Sequence, residues 1–267
     1  MTRITAGGTA YELQGQGPAV VLVHGMGLNR ALWQWLLPAL TPHFQVLTYD
    51  LLGHGESANP VGQPDLRTFT AQTLELLDDC GLARCAVVGF SLGGMIARRF
   101  ALDHPDRLSA LAILHSAHDR SAAERAAIMR RVETARQSGP AATVDAALAR
   151  WFTDGFQTRQ PEMMALVRSW VTANRKDVYA PIYQVLAQGD AEIAATITEI
   201  RCPTLVMTGA EDSGNSPDMA QRMASAIPGA RSVILPGLRH MALAEDPATF
   251  NAPLVSFLTE TLLEQTG

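Results

Sequence analysis

The chain has 267 residues, of which 47% are hydrophobic and 18% charged, and its formal net charge is -5. That balance excludes wholesale disorder, and no basic excess or basic stripe marks a nucleic-acid binder. At this length a folded chain exposes roughly 11,000 Å² against roughly 42,000 Å² when extended, so a core forms without disulfides or metal clips.

Three cysteines, Cys80, Cys85 and Cys202, are too few for a disulfide framework and lack metal-ligand spacing. They read as buried thiols of a reducing compartment. The first eight residues contain no apolar signal core, and no apolar run approaches the ~18 residues of a membrane span. A cytoplasmic protein with no membrane partner is the expectation, as monomer or homodimer.

Residues 3–14 suggest an antiparallel hairpin turned at Gly7-Gly8. Continuous apolar runs follow at Ala19–Val23, Val46–Tyr49, Cys85–Phe90, Ala110–Leu114, Thr204–Thr208 and Ser232–Leu235. Being continuous rather than alternating, they fit strands buried on both faces of a parallel sheet. Helical patterns lie between them at Arg30–Leu40, Leu66–Cys80, Leu92–Leu102, Pro217–Ala226 and Pro247–Glu264. Alternating β and α units predict a mostly parallel, doubly wound α/β sheet. The alternation breaks between about 120 and 200, where only helix-like segments occur: Ala122–Gln137, Thr143–Phe152 and Met163–Thr172. This predicts one core, residues 1–119 and 201–267, carrying a helical lid inserted at 120–200.

Gly89-Phe90-Ser91-Leu92-Gly93 is a G-x-S-x-G pentapeptide with a strand before it and a helix after it. A sharp strand-to-helix turn of that kind exposes the serine hydroxyl at its apex, and its glycines let backbones approach closely. A serine needs a base and an orienting acid to attack a carbonyl near neutral pH. On this architecture they follow in the order acid, then histidine, past the C-terminal ends of later strands. Asp212 and His240 meet that description, with Glu211 as the alternative acid and Asp119 a distant third. The developing oxyanion needs two backbone donors. Leu92 N–H opens the helix after the nucleophile, and Met26 N–H belongs to the glycine-containing loop after Ala19–Val23. His24 in that loop reads as structural. His115 and Trp151 are expected to line the substrate pocket, while His115 and His118 make a poor metal motif. Neither a metal nor another cofactor is expected.

His24-Gly25-Met26-Gly27, Asp50-Leu51-Leu52-Gly53-His54-Gly55-Glu56-Ser57, Gly89-Phe90-Ser91-Leu92-Gly93-Gly94, and the pair Asp212 and His240 occur in order. On these segments the chain resembles the α/β-hydrolase superfamily over nearly its whole length, with Leu52 where arginine is frequent in that turn. Within it, His24–Trp33, Tyr49-Asp50 and Phe90–Met95 are most similar to small bacterial carboxylesterases and 3-oxoadipate enol-lactonases. The resemblance implies a cofactor-free serine hydrolase acting on a small ester or lactone. Its rivals are a perhydrolase (non-haem haloperoxidase), a C–C bond hydrolase, and a non-catalytic ligand receptor on the same fold. Should the substrate carry a carboxylate, a lid arginine such as Arg120, Arg125, Arg130 or Arg131 is expected to pair with it.

Overall fold

The computed structural model describes residues 1–264. An N-terminal hairpin, β1 (Arg3–Ile4) and β2 (Ala10–Gln14), leads into β3 (Ala19–Val23). A 3₁₀ turn over Arg30–Trp35 and a single α turn, α1 (Leu37–Leu40), then precede β4 (Gln45–Tyr49). The continuous helix expected over Arg30–Leu40 is therefore split. Pro38 stands at the start of α1, where its missing N–H is harmless but where it ends any bond back into the preceding turn. Asn29 caps the 3₁₀ segment through the N–H of Ala31.

The chain continues through α2 (Leu66–Asp79), β5 (Cys85–Phe90), α3 (Leu92–Asp103) and β6 (Leu108–Leu114). Asp65 and Thr68 form a reciprocal capping box at the start of α2. Five helices follow without an intervening strand: α4 (Ala122–Ser138), α5 (Ala141–Trp151), α6 (Asp154–Arg159), α7 (Pro161–Thr172) and α8 (Lys176–Ala194). The sheet then resumes with β7 (Thr204–Gly209), α9 (Pro217–Ala226), β8 (Arg231–Leu235), a short α10 (Ala242–Glu245) and α11 (Pro247–Leu262).

The eight strands lie in the order β1-β2-β4-β3-β5-β6-β7-β8. Only the β1–β2 and β2–β4 pairings are antiparallel; β4 through β8 are parallel to one another. Every residue of β5 and β7 is buried, as expected of strands covered on both faces. The folded surface is 10567 Å², close to the value that chain length alone implies. Among the described residues, no helix is long and apolar enough to cross a membrane.

Candidate active site

Three loops leave the C-terminal ends of β5, β7 and β8 and meet above the sheet edge, where open parallel sheets gather their sites. Ser91, between β5 and α3, has φ 57 and ψ -113, a conformation side chains rarely adopt. It persists because both sides of the turn are fixed: Ser91 N–H donates to Leu114 O at 2.9 Å, and Gly94 N–H donates to Ser91 O at 3.0 Å. Gly93 is required beneath it, since a Cβ there would come within 2.0 Å of Val23 O. The turn is thus pressed against β3 and brings Ser91 beside the loop that follows it.

The β7 and β8 loops are drawn together by a second close approach. A Cβ on Gly209 would lie 2.2 Å from Leu238 O, and Ala210 and Glu211 donate their N–H groups to Leu235 O and Leu238 O. Asp212 and His240 are thereby juxtaposed, with His240 Nδ1 2.7 Å from Asp212 Oδ2. Glu211, the alternative acid, is exposed and points to Arg239 at 3.7 Å. Asp119 is also exposed and takes no part.

Asp212 is the most heavily served carboxylate of the site. Its Oδ1 accepts from Gly214 and Asn215 N–H at 3.1 and 3.0 Å, while Oδ2 meets His240 Nδ1 and His115 Nδ1, the latter at 3.0 Å. Burial alone would raise its pKa. The His240 ring and the hydrogen bonds from His115 and His240 outweigh that and hold the carboxyl well below the usual range. His115 has no exposure, and burial lowers its pKa, so it stands neutral with Nδ1–H on Asp212. It does not border the cavity, contrary to expectation; it sits behind the carboxylate, between Phe90 and Phe250. The left-handed φ of 48 at His115 turns its side chain under the β7 loop instead of outward.

Trp151 does border the cavity, its ring 6.0 Å from that of His240, whereas Trp170 packs on Trp35. Asn215 was not singled out by sequence, yet its amide lies 3.1 Å from His240 Nδ1 and its N–H serves Asp212. Its position three residues after the acid was the only cue.

The loop after β3 is held from three directions. His24 Nε2 accepts from Leu51 N–H at 3.0 Å while its Nδ1–H is directed at Gly25 O, confirming a structural histidine. His54 Nε2 accepts from Gly27 N–H at 3.0 Å, and Asn174, just past α7, donates to Gly27 O at 2.9 Å. Burial lowers the pKa of His24 to about 4 and of His54 to about 3, so both are neutral acceptors. Asp50 organises the adjoining turn: it accepts from Arg30 and Glu56 N–H, pairs with the Arg30 side chain, and its carbonyl accepts from Ser57 Oγ. Within the frame so built, the N–H groups of Met26 and Leu92 have no hydrogen-bond partner among the described residues.

The cavity holds about 70 Å³ and is bordered by Met26, Ser91, Asp212 and His240 on the sheet side. No direct Ser91–His240 hydrogen bond is formed among the described residues; such contacts commonly tighten only when substrate arrives. Residues 18–247 match the family described as alpha/beta hydrolase fold. The chain belongs to the α/β-hydrolase family. Other members align with nearly all of it. The (E)-2-((N-methylformamido)methylene)succinate hydrolase of Acinetobacter baylyi is 27% identical over 94% of each chain. The 3-oxoadipate enol-lactonase 2 of the same organism is 26% identical, covering 89% of this chain and 87% of its own. Among α/β-hydrolase structures, the enol-lactonase from Burkholderia xenovorans superposes with a TM-score of 0.90 at 30% identity, covering 97% of this chain and all of that one. His115, Asp212 and His240 also place three potential ligand atoms within 4.8 Å. In this structure both histidines direct Nδ1 at the carboxylate through hydrogen bonds.

Proposed function

We propose that this α/β hydrolase cleaves a small carboxylic ester or lactone through an acyl-enzyme on Ser91. The observation that carries the reading is the His240–Asp212 pair at 2.7 Å beside a strained serine on the same cavity. His240 commits Nδ1–H to Asp212, which leaves Nε2 as the basic nitrogen for the serine proton. Ser91 Oγ bonds to the carbonyl carbon as its proton passes to His240. Collapse of the tetrahedral intermediate breaks the C–O bond, and His240 returns the proton to the departing alcohol, which in a lactone stays tethered. Water then adds by the same proton transfers, releasing the acid and restoring the serine. Asp212 fixes the tautomer and stabilises the imidazolium, and the free N–H groups of Met26 and Leu92 receive the oxyanion. The name of the related enol-lactonase supports this substrate class. The five-helix insert acts as the cap over residues 120–200 that shapes the pocket.

The test joins chemistry to position. A fluorophosphonate should add to Ser91 and be found there by mass spectrometry, and Ser91→Ala should lower ester turnover by about 10³-fold or more. No adduct at Ser91, or turnover unchanged in Ser91→Ala, overturns the reading.

A further inference from the structure

The helical insert contributes three arginines to the wall of the cavity that Ser91 borders: Arg120, Arg131 and Arg150. They differ in what neutralises them. Arg120 is neutralised by the buried carboxylate of Asp190, which accepts from its backbone N–H at 2.8 Å and from Nη1 at 3.1 Å, and Nη1 also donates to Leu186 O. Arg131 donates only through Nε, to the Tyr183 hydroxyl at 3.2 Å. Arg150 donates only to Ala146 O, one turn back on its own helix. Neither has a carboxylate within ion-pair distance among the described residues, although both are half-buried. Among the described residues, the only acidic one on the cavity wall is Asp212, whose oxygens are occupied by two histidines and two backbone N–H groups.

Two half-buried guanidiniums on the wall of one cavity repel each other and lose hydration with no ion-pair partner to offset it. Burial lowers the pKa of Arg150 and the charge of Arg131 lowers it further, against smaller opposing effects of Tyr183, Tyr179 and Asp212. Such an arrangement is stable when a ligand brings the missing anion. A guanidinium presents five N–H donors in a planar fork, and each of these two has spent a single N–H group on the protein. The free forks suit the flat, two-oxygen face of a carboxylate.

On the ester or lactone reading, we propose that Arg131 and Arg150 form a carboxylate subsite, so the substrate carries an anionic carboxylate remote from the bond that Ser91 attacks. Ser91 and the two arginines border the same cavity, so carboxylate and scissile bond belong to one small molecule. Of the arginines expected from sequence, Arg131 therefore serves the substrate; Arg120 serves Asp190, and Arg125 lies 3.7 Å from that same residue. Arg130 is exposed on the outer side of α4 and takes no part. Arg150 was not expected.

Two measurements separate the subsite from the chemistry. The first compares p-nitrophenyl hemiglutarate with p-nitrophenyl pentanoate, a neutral analogue of similar length. The native enzyme should favour the anionic ester in kcat/KM by roughly tenfold or more, as expected for charge-assisted hydrogen bonds. That ratio should collapse toward one in Arg131→Gln and in Arg150→Gln. The second measures binding of glutarate, by calorimetry, to Ser91→Ala protein, where no turnover is involved. Glutarate should bind, glutaric diamide should not, and either arginine substitution should weaken glutarate at least tenfold. A ratio near one in the native enzyme, or glutarate binding indifferent to both substitutions, overturns the subsite. Absence of turnover on both esters, with glutarate binding still dependent on the arginines, overturns the hydrolase reading and leaves the subsite standing.

Discussion

At the residue scale, Asp212 is held by more than the base it serves. His115 donates a second imidazole N–H to the same carboxylate oxygen that orients His240, and its Nε2 is buried without a partner. A neutral ring that gives one hydrogen bond and gains none at its far nitrogen is kept for the bond it gives. On the proposed mechanism His115 is a positioning residue, acting on substrate only through Asp212 and His240. His115→Leu should lower kcat about tenfold or somewhat more, from the loss of one buried hydrogen bond to a charged group. KM should change little, and the acidic limb of the kcat pH profile should move. His115→Asn, which tolerates a left-handed φ and keeps a donor, should restore much of the rate. A loss in KM alone, or no rescue by asparagine, would remove the assignment. Sequence placed His115 correctly at the end of β6 but aimed it at the pocket, because the φ of 48 that turns it inward leaves no mark in residue type.

At the scale of elements, legibility followed burial pattern. The strands from β3 to β7 are readable because their runs are mostly apolar, and the serine turn because its glycines have a fixed spacing; β8, at the sheet edge, is largely exposed or half-buried and not covered on both faces. The insert was readable as helical but not in its parts. Its longest helix, α8, carries Pro181 and Gly189 in its interior, each a stop signal by intrinsic propensity. Tertiary contact overrides both. Ile182, Val185, Ala187 and Ile193 are buried, and Gly189 lets the helix lie against Leu66, where a Cβ would meet side-chain carbon at 3.1 Å. The same helix supplies Asp190, fully buried and bonded to the N–H and guanidinium of Arg120 at the opposite end of the insert. Asp190→Asn leaves Arg120 buried and unpaired, so urea unfolding should show a loss of roughly 3–5 kcal/mol. An unchanged midpoint would mean that the pair does not fasten the insert.

At the scale of the whole molecule, acid should destabilise the fold before its carboxylates titrate. His24 and His54 are buried as neutral acceptors, with pKa values lowered to about 4 and about 3, and burial moves His115 and His118 in the same direction. In the unfolded chain these rings titrate near ~6.5. The unfolded state therefore binds more protons between the two values, and stability rises with pH across that window. It is complete above about pH 6.5 and falls progressively below it, with His24 alone contributing on the order of 3 kcal/mol. Thermal midpoints at fixed ionic strength should drop steadily from pH 7 to pH 5, and His54→Gln should flatten the slope. A flat profile in the native protein would contradict neutral burial of these rings.

The loop that carries His240 is stitched to the insert on both sides of the histidine. Met241 N–H donates to Trp151 O at 2.9 Å, and Arg239 donates to Phe152 O at 2.7 Å and to Ala149 O at 3.1 Å. Thr153 bonds to Glu245 just beyond. On the proposed mechanism, the general base is consequently mounted in part on the helical insert. Exchanging the insert for that of another hydrolase would transplant a piece of the catalytic mounting along with the specificity. An exchange that retains residues 149–154 keeps the base seated; one that cuts through them alters turnover and preference together. For this protein, evolving a new substrate and preserving its rate are therefore a single problem centred on six residues.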